Sequence, residues 1–185
     1  MDVVFLMDIS GSVQEEYLQS TSMARRIVLG FDIDHDLVRV GAIAFSDNIV
    51  GKFFMNSNIG FNSKQKVYNS FDFYPAFGAT NTPSALESAR SEQFTQLNGD
   101  RPNVQNVVII ITDGNSNVNQ INTIPDAMAL KGDGVIIYSV AVGDNPQRSE
   151  IMGMASSPAS QYVVSLPTLG DIETAAMTLL DNICQ

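Results

Sequence analysis

Apolar and polar positions along this chain alternate between two periods, one suited to strands and one to helices. Asp2 to Met7 is a nearly continuous apolar run and predicts a buried strand; Val13 to Gly30 then sets Tyr17, Ala24, Ile27 and Val28 at helical spacing. Val38 to Phe45 alternates as a strand, and Ile49 to Phe54 follows after the turn residues Ser46-Asp47-Asn48. So short a link predicts an antiparallel hairpin at a sheet edge. A short helix is expected over 63–70 and a longer one opening at "TNTPSALESA", with Thr82 as its cap and Pro83 at the first helical position. "VQNVVIIITDG" is the most apolar segment and predicts a central strand covered on both faces. A helix over 124–131, a strand over 135–142, a short helix over 148–154 and a short strand over 161–164 continue the alternation. The closing helix is the clearest, with Ile172, Ala175, Ala176, Leu179, Leu180 and Ile183 on one stripe.

Elements in this order specify an α/β fold: an open, mostly parallel sheet with one antiparallel edge strand and helices on both faces. Ligands of such sheets bind outside the carboxyl ends of the strands. With 185 residues and no linker-like composition break, 1–185 reads as a single domain. The start, Met1-Asp2-Val3, enters a strand at once without a signal-peptide pattern, so the expectation is a domain excised from a longer multidomain chain.

Composition narrows the function classes. A hydrophobic share of 44% supports a real core, and the longest apolar runs are too short to span a bilayer, which argues against direct membrane insertion. The net charge of −10, with no Lys/Arg stripe, argues against nucleic acid as a partner and suits a cation binder, although acidity also simply keeps domains soluble. The single cysteine, Cys184, is either an idle thiol or half of a disulfide to a residue outside this chain.

Three segments bring small oxygen-bearing residues to the carboxyl edge: "DISGS" after the first strand, "GATNT" before a helix, and "TDG" after the most buried strand. Asp8 and Asp113 supply charge, and Ser10, Ser12 and Thr80 supply hydroxyls, a donor set for a hard divalent ion that wants about six oxygens. Each has a structural alternative. Ser12-Val13-Gln14-Glu15 fits a capping box, Thr80 could fill a loop, and Asp113-Gly114 could be a strand-ending turn. Jointly, in three segments at three predicted strand or helix ends, these alternatives are harder to sustain.

The ordered set Asp8-x-Ser10-x-Ser12, Thr80 and Asp113 resembles the metal-ion-dependent adhesion site of the von Willebrand factor type A domain family, and the likeness covers essentially the whole chain. It implies a Rossmann-like sheet with Mg²⁺ or Mn²⁺ at its top, Ca²⁺ being a further candidate. The resemblance implies that Ser10, Ser12 and, depending on state, Thr80 or Asp113 hold the ion directly, while Asp8 and the remaining aspartate act through water. It also implies a partner glutamate or aspartate completing the shell, and a closing helix that can shift when it does. The likeness is strongest to extracellular matrix members, matrilin-like and collagen-like, which often bracket the domain with a disulfide; Cys184 matches the second half of such a bracket. Gly78-Ala79 replaces the glycine pair often found before the family's threonine, and no extra collagen-binding helix is apparent between Asp113 and Val135.

Enzymatic readings fit less well. Aspartate-based phosphotransferases use D-x-D, and Ser10 stands where their second acid would be. There is no G-x-S-x-G elbow, and the only histidine, His35, lies between Asp34 and Asp36 in a predicted surface turn. The expectation is a secreted, non-enzymatic adhesion or matrix module that captures a Glu or Asp of an extracellular protein such as collagen. The alternative is a structural matrix or biomineral-associated module with self-association. No aromatic hot spot is expected in the loops around the site.

Overall fold

Five strands run parallel in the computed structural model, which describes residues 1–184: β1 (Asp2–Asp8), β2 (Arg39–Phe45), β4 (Asn106–Thr112), β5 (Ile136–Val142) and β6 (Val163–Leu166). The sixth, β3 (Ile49–Phe53), pairs antiparallel with β2 at the edge, as the short hairpin link predicts. The order β3-β2-β1-β4-β5-β6 gives a Rossmann-like sheet whose winding reverses around β1. Such a reversal opens a crevice at the carboxyl ends of the two strands beside it, here β1 and β4.

Alternation of side chains sorts the core into two layers. Val3, Phe5 and Met7 of β1 and Val107, Ile109 and Ile111 of β4 pack on one face with α1 (Tyr17–Gly30), α2 (Ser63–Ser70) and α7 (Ile172–Ile183). Val4, Leu6, Val108 and Ile110 pack on the other with α3 (Thr82–Ser88), α4 (Thr123–Gly132) and α5 (Arg148–Met154). Both central strands are therefore apolar on both sides, which is why they read as unbroken apolar runs. Their first polar side chains after the core, Asp8 and Thr112, mark where the sheet ends.

Three local expectations are corrected. The first helix does not begin at Val13: Gly11–Val13 forms a single 3₁₀ turn and α1 starts at Tyr17. Wound this way, the segment leaves no cap for Ser12, whose exposed hydroxyl instead lies 3.2 Å from that of Ser10. The cap of α3 is Asn81 rather than Thr82; its Oδ1 accepts from the Ser84 N–H at 3.3 Å, and Pro83 sits in the first turn, where it costs no helix hydrogen bond. A single turn, α6 (Ala159–Tyr162), displaces the last strand to Val163–Leu166. His35 does lie in a solvent-facing turn, paired to Asp32 at 2.7 Å.

Candidate metal centre

Asp8 closes β1 and is fully buried. Its Oδ1 accepts from the Ser10 N–H at 3.0 Å and its Oδ2 from the Thr112 hydroxyl at 2.7 Å. The second bond follows from register: Met7 pairs with Ile111, so Asp8 and Thr112 come next on neighbouring strands with side chains on the same face. Thr112 is used twice, since its hydroxyl also accepts from the Gly114 N–H at 3.0 Å. Burial, opposed by these hydrogen bonds and reinforced by the nearby Asp113 charge, pushes the Asp8 pKa up from 3.8 to about 6. No cation pairs with Asp8 among the described residues.

Three hydroxyls gather beyond this carboxylate. Thr80 Oγ1 donates to Ser10 Oγ at 2.8 Å, and Ser10 Oγ lies 3.2 Å from Ser12 Oγ. Adjacent oxygens of an octahedral shell with bonds of roughly 2.0–2.1 Å stand about 2.9 Å apart, so these spacings suit ligation of one small ion. The arrangement also contains an anion whose burial is uncompensated by any neighbouring cation. Among the described residues no group of three or more His, Cys, Asp or Glu is placed to hold a metal ion. The candidate donors are two carboxylates and three hydroxyls, a composition suited to a hard oxygen-binding ion rather than a soft one.

Asp113 sits one residue past β4, near enough for its charge to act on Asp8. Its Oδ1 accepts from the Asn115 N–H and its Oδ2 from Asn115 Nδ2, each at 3.0 Å, and its carbonyl accepts from the Gln147 N–H at 2.7 Å. Gly114 has φ +77°, and a Cβ there would lie 2.9 Å from the Gln147 carbonyl oxygen, so this turn requires glycine. Asp8, Ser10, Ser12 and Thr80 are thus joined by hydrogen bonds or hydroxyl contacts, and Asp113 is tied to them through Thr112, Gly114 and its charge. Cys184 lies apart from them, exposed after α7, with a free thiol.

A supporting layer escaped the sequence reading. Asn117 Oδ1 accepts from the Thr80 N–H at 2.9 Å, and the Asn117 N–H donates to the Thr80 carbonyl at 2.9 Å. Buried Glu150 on α5 accepts from the Ser116 N–H at 3.2 Å and from Gln120 Nε2 at 3.3 Å, and burial, together with the Asp113 charge, raises its pKa. Ser46 holds the Ala79 carbonyl at 2.9 Å. The run "NSNVN" after Asp113 was the available signal for part of this layer, as polar residues in a loop that must satisfy its own backbone.

No aromatic hot spot was expected in these loops, yet an exposed aromatic side chain lies among them. Phe77 is 65% exposed, and its neighbours bond to the turn that carries Ser10: the Ala76 N–H donates to the Ile9 carbonyl and the Gly11 N–H to the Gly78 carbonyl, each at 2.9 Å.

Comparison with known proteins adds ancestry to this geometry. The family model of the von Willebrand factor type A domain matches residues 2–177. The collagen alpha-4(VI) chain of Mus musculus is 29% identical over 187 residues, spanning 99% of this chain and 8% of that protein. Matrilin-3 of Gallus gallus is 28% identical over 188 residues, spanning 100% of this chain and 40% of that protein. The chain therefore corresponds to a small part of the first and less than half of the second. Proximal thread matrix protein 1 from the mussel byssus, in a structure with a zinc-occupied MIDAS motif, superimposes with a TM-score of 0.86 at 24% identity, covering 99% of this chain and 48% of that one.

Proposed function

This chain belongs to the von Willebrand factor type A domain family, and from that premise we propose that it is an extracellular, metal-dependent protein-binding module rather than an enzyme. Asp8, Ser10, Ser12, Thr80 and Asp113 hold Mg²⁺ or Mn²⁺, with Ca²⁺ a weaker candidate. Bound there, the ion offers an electrophilic position to a glutamate or aspartate oxygen of a partner, collagen or another matrix component. Asp8 supplies buried negative charge from the sheet, the three hydroxyls supply neutral oxygens, and Asp113 supplies the second charge from a loop. A set so poor in anionic charge leaves room for the partner's carboxylate.

The observation that carries this reading is the convergence of the Ser10, Ser12 and Thr80 hydroxyls, 2.8 and 3.2 Å apart, beside a buried Asp8 that has no cationic partner among the described residues. Matrix relatives such as collagen VI and matrilin-3 support the setting, and among the described residues no helix is long and apolar enough to cross a membrane. A matrix-extract pull-down in Mg²⁺ should retain a partner that EDTA or Asp113→Ala releases. Retention that survives both changes would instead favour a structural, self-associating role.

A further inference from the structure

Phe77 carries two costs at one position. Its φ is +55°, a left-handed conformation in which a bulky L side chain crowds its own backbone. Its ring is also left 65% exposed. Single exposed apolar residues are ordinary; an exposed one held in a strained conformation is not. Glycine or asparagine would satisfy the same backbone with less strain and no exposed ring.

The strain is imposed from both sides. Ala76 and Gly78 are bonded to Ile9 and Gly11, so Phe77 lies directly across from Ser10, the residue between them. The other phenylalanines of this segment serve the core: Phe71 packs edge-on to Phe5 at 5.0 Å and to Phe53 at 5.4 Å, and Phe73 stacks on Phe53 at 6.4 Å. Phe77 joins none of the aromatic pairs among the described residues. Strained residues of this kind persist where the surroundings over-determine them, and they cluster at ligand clamps.

We propose that Phe77 is a partner-recognition residue, forming an apolar contact beside the metal position for a large aliphatic or aromatic side chain close to the partner's metal-binding glutamate or aspartate. The inference rests on the metal-dependent reading above and specifies the partner's chemistry. Neighbouring hydrogen-bonded backbones lie about 4.7–4.9 Å apart. An extended peptide advances about 3.3 Å per residue. A side chain one or two positions from a carboxylate directed at the ion beside Ser10 therefore reaches the Phe77 ring.

The test uses displayed dodecapeptides with one fixed glutamate, no other acidic residue and randomised flanks, selected on the chain in Mg²⁺ and counter-selected in EDTA. Large apolar residues should be enriched one or two positions from the glutamate. Selected peptides should bind Phe77→Gly and Phe77→Asn about tenfold more weakly, the effect of losing an aromatic anchor. Both variants should keep the wild-type Mg²⁺ affinity and melt no lower, because glycine and asparagine suit the left-handed backbone. Peptides that need glutamate and Mg²⁺ but show no apolar enrichment, or bind Phe77→Gly as well as wild type, would overturn the role of Phe77 and leave the adhesion reading standing. A selection yielding no peptide that needs both glutamate and Mg²⁺ would overturn the adhesion reading and this inference together.

Discussion

Thr80 and Asn117 hold each other by two reciprocal hydrogen bonds: the Thr80 N–H donates to Asn117 Oδ1 and the Asn117 N–H donates to the Thr80 carbonyl, both at 2.9 Å. The loop that presents Thr80 is thereby locked to the loop that presents Asp113. Asn117→Ala leaves the buried Thr80 N–H unsatisfied, at a cost of about 1–3 kcal/mol. Mn²⁺ affinity should fall about tenfold, the usual effect of removing an outer support. Asn117→Asp keeps the acceptor and should bind Mn²⁺ at least as tightly as the alanine variant; calorimetric titration of both variants checks the order.

Asp8 should make the metal-free protein more stable in mild acid. Its folded pKa of about 6 lies above its ordinary value of 3.8, so the folded state binds that proton more tightly than the unfolded chain. The resulting penalty, about 3 kcal/mol, is complete above pH 6 and is relieved as the pH falls towards 3.8. In EDTA, the urea midpoint of wild type should rise from about pH 7 to pH 5 relative to that of Asp8→Asn. Parallel curves for the two proteins would refute the assignment. With saturating Mg²⁺ that rise should flatten, because the ion would hold the folded carboxylate ionised and neither the folded nor the unfolded Asp8 then takes up a proton between pH 7 and 5.

Gly114→Ala tests whether the turn after Asp113 sets the site. With φ +77° and a new Cβ 2.7 Å from the Ile151 side chain and 2.9 Å from the Gln147 carbonyl oxygen, the turn must open. A loss of about 1–2 kcal/mol from the left-handed backbone alone is expected, with weaker Mg²⁺ binding, read by melting in EDTA and by titration.

Arg101 offers the converse control. It clamps the fully buried Asp2 through its backbone N–H at 2.7 Å and its guanidinium at 2.6 and 2.9 Å. Arg101→Met leaves that carboxylate buried without its partner and should cost about 3 kcal/mol. Asp2 opens β1 and Asp8 closes it, roughly 20 Å away at about 3.3 Å per residue. Mg²⁺ affinity of the folded variant should therefore match wild type, separating loss of fold from loss of site.

The strands were legible because apolar runs end abruptly at Asp8 and Thr112, and the strand ends in turn located the candidate donors. The supporting residues were not legible, since Thr112 meets Asp8 across 104 positions and Glu150 meets Ser116 across 34. Such pairs exist only once the sheet has set its register. The capping box available to Ser12 does not form for a local reason: S-x-x-E describes a cap only if a helix starts there, and a tight turn intervenes. Phe77 was not legible within "FDFYPAF", because nothing in the residue type announces a left-handed φ.

The candidate donors differ in what anchors them. Asp8 inherits its place from the sheet and can move only if β1 and β4 part, whereas Thr80 and Asp113 ride on loops fastened by a few hydrogen bonds. Amide exchange should divide accordingly: protons of β1 and β4 should exchange only through global unfolding, and those of residues 114–118 through local opening. Saturating Mn²⁺ should slow both groups, the first because unfolding releases the ion and the second only as far as loop opening does, so the protection gained over 114–118 measures how closely ion exchange would follow loop breathing above an immobile floor.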